Sequence, residues 1–227
     1  MRDTALVFAG GDGPALSVVA DLDPDALVIA ADSGLDHALA LGIRVHIVVG
    51  DLDSVTESGL RIAVTSGAAV EQHPTAKDAT DLELAMLSAR EHGARRVTVF
   101  GGGGGRHDHL LANSLVLASD AFADLGVDAV VGTARITVIR AVVELRGPPG
   151  SLCSLLPVGG VAHGVRTDGL RYPLHDEDLE PGSTRGVSNE FLTSHASVAL
   201  RAGVLLAVQP DAFPTPISNH APTFPEN

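Results

Sequence analysis

The sequence is most informative in what it lacks. Among 227 residues there is a single lysine, Lys77, and it stands in Thr75-Ala76-Lys77-Asp78. A phosphate loop of the Gly-Lys-Ser/Thr type is therefore excluded, and so is the strand-borne Val-Ala-Ile-Lys lysine of protein kinases. The one cysteine, Cys153, permits neither an intrachain disulfide nor a thiolate zinc site, and it reads as a small buried hydrophobe. Aromatic residues make up 3% and tryptophan is absent, so the core has to be built from Val, Leu, Ile and Ala. No run of 18 apolar residues occurs, and the apolar opening MRDTALVFAGGDGP is cut short by glycines. The expectation is a soluble, cytoplasmic protein. A net charge of −13 with no Lys/Arg cluster argues against nucleic acid and against an anionic membrane surface. GxSxG, HExxH and GxGxxG are all missing, which removes the hydrolase elbow, the zinc-protease helix and the dinucleotide fingerprint.

What is present is an alternation of apolar runs and helical patterns over the first 130 or so residues. Strands are expected near 5–9, 26–31, 45–49, 68–71, 97–100 and 128–131, with helices near 33–42, 55–66, 79–93 and 107–120. Strands apolar on both faces, separated by helices, imply a parallel sheet covered by helices. After Gly132 the pattern changes to short runs at 136–139, 142–145, 151–156, 161–165, 196–200 and 204–208, punctuated by Gly and Pro. The fold class is thus α/β: a Rossmann-like, mostly parallel sheet with flanking helices, followed by an antiparallel β-sandwich. The expected division is 1–132, 133–209 and an irregular tail at 210–227.

Ligands of open parallel sheets bind beyond the carboxyl ends of the strands. Acids gather at those ends here: Asp32 after the second strand, Asp51 and Asp53 after the third, Asp78 and Asp81 at the start of the 79–93 helix, and Asp108 after the strand ending at Phe100. Taken singly, Asp32, Asp53 and Asp78 also stand where helix N-caps would. Taken together, several carboxylates on one rim repel unless a cation is present, and hard cations such as Mg²⁺ bind through carboxylates plus substrate phosphates. The glycine run 101–105 reads equally as a phosphate cradle ahead of a helix or as a point of tight packing. His107 and His109 fit no ligand spacing and read as surface residues.

The segments AADSGLDHALALG (30–42), VGDLDSV (49–55), KDATDLELAM (77–86), GGRHDHLLAN (104–113), GLRYPL (169–174) and TRGVSNEF (184–191) resemble, in order and spacing, those of the thiamine pyrophosphokinases. The resemblance extends to about residue 208. It implies a Mg²⁺-dependent transfer of the pyrophosphate group of ATP to the hydroxyl of thiamine, giving thiamine diphosphate and AMP. It also implies a homodimer with the thiamine pocket at the subunit interface. Carried over by motif, Asp32, Asp51, Asp53 and Asp81 are the metal acids, and Asp51, Asp53 and Asp81 the catalytic ones. Ser54, Lys77, Thr80, Arg106 and Asp108, with Asp32, line the ATP site; Tyr172, Ser188 and Asn189, with Asp81, line the thiamine site. Ala79 and Tyr172 depart from residues common in the family, a polar side chain and tryptophan. The competing readings are a pyrophosphokinase for another alcohol such as a hydroxymethyl-pterin, a non-catalytic thiamine or nucleotide sensor, and a DxD-type transferase.

Overall fold

The computed structural model describes residues 2–15, 18–19, 22–76, 78–104 and 106–213. Lys77 and the greater part of the expected tail lie outside these residues. A ten-stranded sheet forms the backbone of the molecule. Its parallel portion comprises β1 (Thr4–Phe8), β2 (Leu27–Ala31), β3 (Ile47–Gly50), β4 (Ala69–Gln72), β5 (Arg96–Phe100) and β6 (Gly126–Val131). It continues antiparallel through β7 (Ala134–Ile139), β14 (Leu205–Gln209), β9 (Leu152–Pro157) and β12 (Asn189–Glu190). The strand order is β12-β9-β14-β7-β6-β5-β1-β2-β3-β4. A second, antiparallel sheet has the order β11 (His175–Leu179), β10 (Ala162–Asp168), β13 (His195–Ala199), β8 (Val142–Arg146).

Sequence accounts for most of this arrangement. β2 reads LVIAA and is buried at all five positions, as a central strand covered on both faces must be. Helix α3 (Asp81–Glu91) buries Leu82, Ala85, Met86 and Ala89, one stripe at helical spacing, against β1, β2 and β3. Thr80 caps its start, its Oγ1 accepting from the Glu83 amide at 3.2 Å, and such a cap contributes about 1 kcal/mol. Gly93, at φ +92°, ends it: the Ala94 amide donates back to the Ala89 carbonyl, and the Gly93 amide to that of Arg90. On the other face, α1 (Gly34–Ala40) and α2 (Glu57–Thr65) close a core around Leu6, Phe8, Val28, Val48 and Phe100. Phe8 and Phe100 stack across the β1–β5 pair with ring centroids 5.1 Å apart. The second half encloses its own core between the two sheets, built from residues such as Leu145, Leu155, Val165, Phe191, Val198 and Leu205. Cys153 belongs to it, wholly buried, and burial pushes its thiol up to about 12. The molecule is therefore α/β with a mostly parallel sheet followed by a β-sandwich, one layer of which continues that sheet.

Two strands fall where none was expected. β11 is spelled HDEDL, and its charges face solvent while Leu179 alone enters the core. β12 is two residues long and lies inside the TRGVSNEF motif. No helix of the described residues is long and apolar enough to cross a membrane.

Candidate active site

The chain turns sharply at the ends of β2 and β3, and those turns bring the acids together. Asp32 has φ +50° and Leu52 has φ +70°, a region that non-glycine residues occupy at a cost and that Asp tolerates better than Leu. The Asp32 amide donates to the Val49 carbonyl at 2.9 Å, holding the two strand ends side by side. Gly50, at φ +143°, has a backbone conformation that suits glycine and is tightly neighboured: a Cβ there would lie 3.1 Å from Asp81 Oδ1 and 3.5 Å from Asp32 Cβ. Asp32, Asp51 and Asp53 each offer a carboxylate oxygen within 4.8 Å of the others. Asp81 reaches the same place from the first turn of α3.

The electrostatics reflect the crowding. The neighbouring Asp51 carboxylate, followed by desolvation, a hydrogen bond to Asp51, and the charges of Asp32 and Asp81, pushes the Asp53 carboxyl above its ordinary value. The Asp53 amide donates to Asp51 Oδ1 at 3.2 Å, and Ser54 Oγ donates to Asp32 Oδ2. Asp32 Oδ1 is buried and has no hydrogen-bond partner among the described residues. A buried acceptor left unmade costs about 1–3 kcal/mol, and more when it is charged, so this oxygen calls for a cation. The donor set, carboxylates alone, suits a hard ion such as Mg²⁺. None of Asp32, Asp53 and Asp78 is an N-cap; the caps of α1, α2 and α3 are Ser33, Thr56 and Thr80.

Beside the acids is a cavity of about 430 Å³, walled by Asp32, Ser33, Thr80 and Asp81 on one side and by two glycine loops and a helix on the other. The loops, 9–13 and 101–104, lie against each other: the Gly102 amide donates to the Gly10 carbonyl at 2.8 Å and the Asp12 amide to that of Gly103 at 3.0 Å. A Cβ on Gly11 would sit 1.8 Å from the Gly103 oxygen. The glycines thus serve tight packing, and the same loops wall the cavity. Helix α4 (His107–Leu117) adds His109, Ala112 and Asn113, and Arg106 stands at its start. Arg106 makes a bidentate pair with Asp108, at 2.9 and 2.6 Å; this holds the Asp108 carboxyl far below the usual range. Asp108 does not line the cavity.

His109, read from the sequence as a surface residue, is exposed and also borders the cavity. Asn113, whose Nδ2 donates to the Gly102 carbonyl at 3.1 Å, was not singled out. His37 was not either; its Nε2 lies 2.8 Å from the Gly11 carbonyl. The available signal was the i, i+4 spacing of His109 and Asn113, which puts both on one face of the helix.

The second-half residues form a separate cluster. GLRYPL and TRGVSNEF meet through the Leu170–Phe191 bridge and the Arg171–Glu190 ion pair at 2.6 Å. Asn189 is buried: its Oδ1 accepts from the Tyr172 amide at 2.9 Å, and its Nδ2 donates to the Tyr172 carbonyl at 2.7 Å. Ser188 has φ +56°, and its amide donates to Ser154 Oγ. The Tyr172 ring, Val187 and Leu192 are exposed beside them.

Both halves match profiles of a single family, described as "Thiamin pyrophosphokinase, catalytic domain" over residues 21–127 and "Thiamin pyrophosphokinase, vitamin B1 binding domain" over residues 138–205. The chain belongs to the thiamine pyrophosphokinase family. Thiamine pyrophosphokinase of Bacillus subtilis is 28% identical over 220 residues, covering 91% of this chain and 98% of that one, and its crystal structure superposes with a TM-score of 0.79. The crystal structure of the Geobacillus thermodenitrificans thiamin pyrophosphokinase is 26% identical with a TM-score of 0.76, covering 91% of this chain and 96% of that one. Thiamine pyrophosphokinase 1 of Arabidopsis thaliana is 25% identical over 205 residues, covering 82% of this chain and 74% of that one. The acid rim and the glycine-walled cavity lie within residues 9–113, and the Tyr172 cluster lies within the residues that match the vitamin B1 binding domain.

Proposed function

We propose that this thiamine pyrophosphokinase works as a homodimer in the cytoplasm, joining the acid rim of one protomer to the Tyr172 cluster of its partner. The reaction is transfer of the pyrophosphate group of ATP to thiamine: the thiamine hydroxyl oxygen bonds to the β-phosphorus, the bond from that phosphorus to the α-phosphate oxygen breaks, and AMP leaves. The functional division is 1–132 for ATP and metal and 133–209 for thiamine and dimerisation.

The observation that carries the metal site is the buried, unpartnered Asp32 Oδ1 within the acid cluster. Asp32, Asp51, Asp53 and Asp81 would hold Mg²⁺, which when bound neutralises charge on the phosphate oxygens. ATP lies in the glycine-walled cavity. Arg106 spends two of its five N–H donors on Asp108, and the rest remain for phosphate at the helix start. Ser54 positions Asp32, Thr80 fixes the first turn of α3, and Lys77 supplies a further positive charge. Asp81 takes the hydroxyl proton. In the second half Tyr172 offers an aromatic face, Ser188 a hydroxyl, and Asn189 sets the Tyr172 backbone.

Sheet order supports the need for a partner. β12, which carries Asn189, is seven strand positions from β2, which Asp32 follows. At about 4.8 Å per strand that is roughly 34 Å, far more than a vitamin-sized molecule spans.

The test combines product analysis with complementation. ATP, Mg²⁺ and thiamine should give equal AMP and thiamine diphosphate. D53N and S188A/Y172A, each inactive alone, should on mixing and re-equilibration recover about one quarter of wild-type specific activity, because half of the dimers are mixed and each holds one intact site. No recovery, with mixed dimers demonstrated, overturns the shared site. ADP with thiamine monophosphate overturns the one-step transfer.

A further inference from the structure

A second cavity takes no part in this reading. It measures about 480 Å³ and lies on the face of the ten-stranded sheet opposite α3 and α4, between β5–β7 and the edge strand β8. Residues of α1–α4 do not contribute to its lining. Sheet alternation explains its polarity: Val97, Val99, Val127, Ala129 and Ile136 face the helices, so Thr98, Asp128, Thr137 and Arg135 face the other way.

Its charges are sorted. At one end Asp128 stands opposite Thr137, whose Oγ1 donates to Asp128 Oδ1 at 2.5 Å. At the other end, two residues along β7, Arg135 stands opposite Gln209. Gln209 is buried and donates from Nε2 to the Arg146 carbonyl at 2.8 Å, which brings the Arg146 backbone beside Arg135. Glu144 precedes Arg146 by two residues on β8, repeating the acid-to-base spacing. Residues two apart on a strand are about 7 Å apart. Among the described residues Arg135 and Arg146 form no ion pair; the Arg135 guanidinium lies 4.9 Å above the Phe213 ring, which holds it in place. Both arginines also border a small adjoining recess that contains Asp211.

We infer that this cavity is a second binding site, for a small zwitterion with its anionic group between Arg135 and Arg146 and its cationic group about 7 Å away, toward Asp128 and Glu144. The sorting of charge argues for a ligand of both signs, because a plain anion would face the two carboxylates and a plain cation the two arginines. The class of ligand follows from the cavity alone. That the reaction product, a thiazolium cation carrying a diphosphate, is such a zwitterion rests on the function proposed above; on that reading the site lets product report on the enzyme from the opposite face of the sheet that bears the acid rim.

The experiment is calorimetric titration of the full chain in EDTA, where the acid rim lacks the cation it needs to accept phosphate. Thiamine diphosphate, inorganic pyrophosphate and thiamine are the three probes. Thiamine diphosphate is expected to bind wild type, to bind R135Q/R146Q at least tenfold more weakly, and to be weakened by D128N/E144Q. Pyrophosphate is expected not to be weakened by D128N/E144Q. R146Q alone alters an exposed side chain and keeps the test valid if the double variant does not fold. Thiamine diphosphate binding that is absent in wild type, or unchanged in R146Q and R135Q/R146Q, overturns the site. Pyrophosphate binding as tightly as thiamine diphosphate and losing as much in R135Q/R146Q overturns the zwitterion in favour of a plain anion site. Turnover of ATP and thiamine is measured on the same preparation without added product, and R135Q/R146Q is expected to keep it. Binding without turnover in wild type would refute the proposed function and leave this site standing; turnover without binding would do the reverse.

Discussion

Asp32→Asn should make the metal-free protein more stable while abolishing its activity. Asp32 Oδ1 is buried without a partner, and the carboxylate oxygens of Asp51 and Asp53 are within 4.8 Å of the Asp32 site. An amide nitrogen at that position replaces an orphaned acceptor by a donor facing two carboxylates, and it removes one of the mutually repelling charges. Asn occupies positive φ as readily as Asp, so the turn at φ +50° is not strained by the exchange. Ser54 keeps an acceptor in the amide oxygen, weaker than the charge-assisted one it loses. With about 1–3 kcal/mol recovered at the orphaned atom and about 1 kcal/mol lost at Ser54, the net of these two is about 0–2 kcal/mol, and the relief of carboxylate repulsion adds to it. For a domain of this size that raises Tm by up to roughly 8 °C. The assay is thermal unfolding of both proteins in EDTA and in saturating Mg²⁺. Wild type should gain stability from the metal by mass action, and the variant should lose most of that increment. If D32N melts in EDTA at or below the wild-type temperature, or keeps the full Mg²⁺ increment, the reading of Asp32 as a metal ligand held at a stability cost is wrong.

Two further outcomes follow from the same site. The Asp53 carboxyl is raised by its acidic neighbours, so its contribution to the stability of the metal-free protein is present at low pH and is lost as pH rises through its titration, above the ordinary aspartate value. Mg²⁺ affinity should run the opposite way, strengthening as pH rises through that window because the ligands must be deprotonated; titrations at pH 4.5 and pH 7 that give equal affinity would count against the assignment. Gly11→Ala places a Cβ 1.8 Å from the Gly103 oxygen at a φ of +91°, and the two glycine loops must separate. At least about 2 kcal/mol of stability should be lost in urea unfolding, with a raised KM for ATP, and wild-type values in both would refute the packing argument.

Much of this was legible in the sequence because local chemistry and tertiary role coincide. The all-apolar LVIAA of β2, the Leu82-Ala85-Met86-Ala89 stripe and the stop at Gly93 each say locally what the fold does globally. The acids at the ends of β2 and β3 were legible because a parallel sheet has one functional rim. The unread parts are those where tertiary context overrides composition. HDEDL forms β11 although it is almost wholly polar, since an edge strand of the second sheet needs only Leu179 inside. The change of pattern at Gly132 reads as a boundary between units. At the backbone level it is a two-residue hairpin loop, with Val131 opposite Ala134 and Gly132 at φ +60°. That Asn189 clamps the Tyr172 backbone was not legible in the motif, because the partners of a buried carboxamide are set by the tertiary fold.

The hairpin at Gly132 also bears on how a catalytic site is assembled. Two-domain enzymes commonly bring substrates together by closing about a flexible linker, and such a linker crosses few backbone hydrogen bonds. Here β6 and β7 are joined by a ladder of four residue pairs, and the sheet runs without a break from β12 to β4. Swinging the second half toward Asp32 would require breaking that ladder and opening the core between Ala129, Ile136 and Leu206. Intrachain closure is therefore far costlier than association of two preformed surfaces. The exposed Tyr172, Val187 and Leu192 beside the buried Asn189 are the kind of apolar surface that association covers. A continuous sheet with half of the chemistry at each end makes the second protomer, and not a hinge, the element that completes the site on the proposed reading.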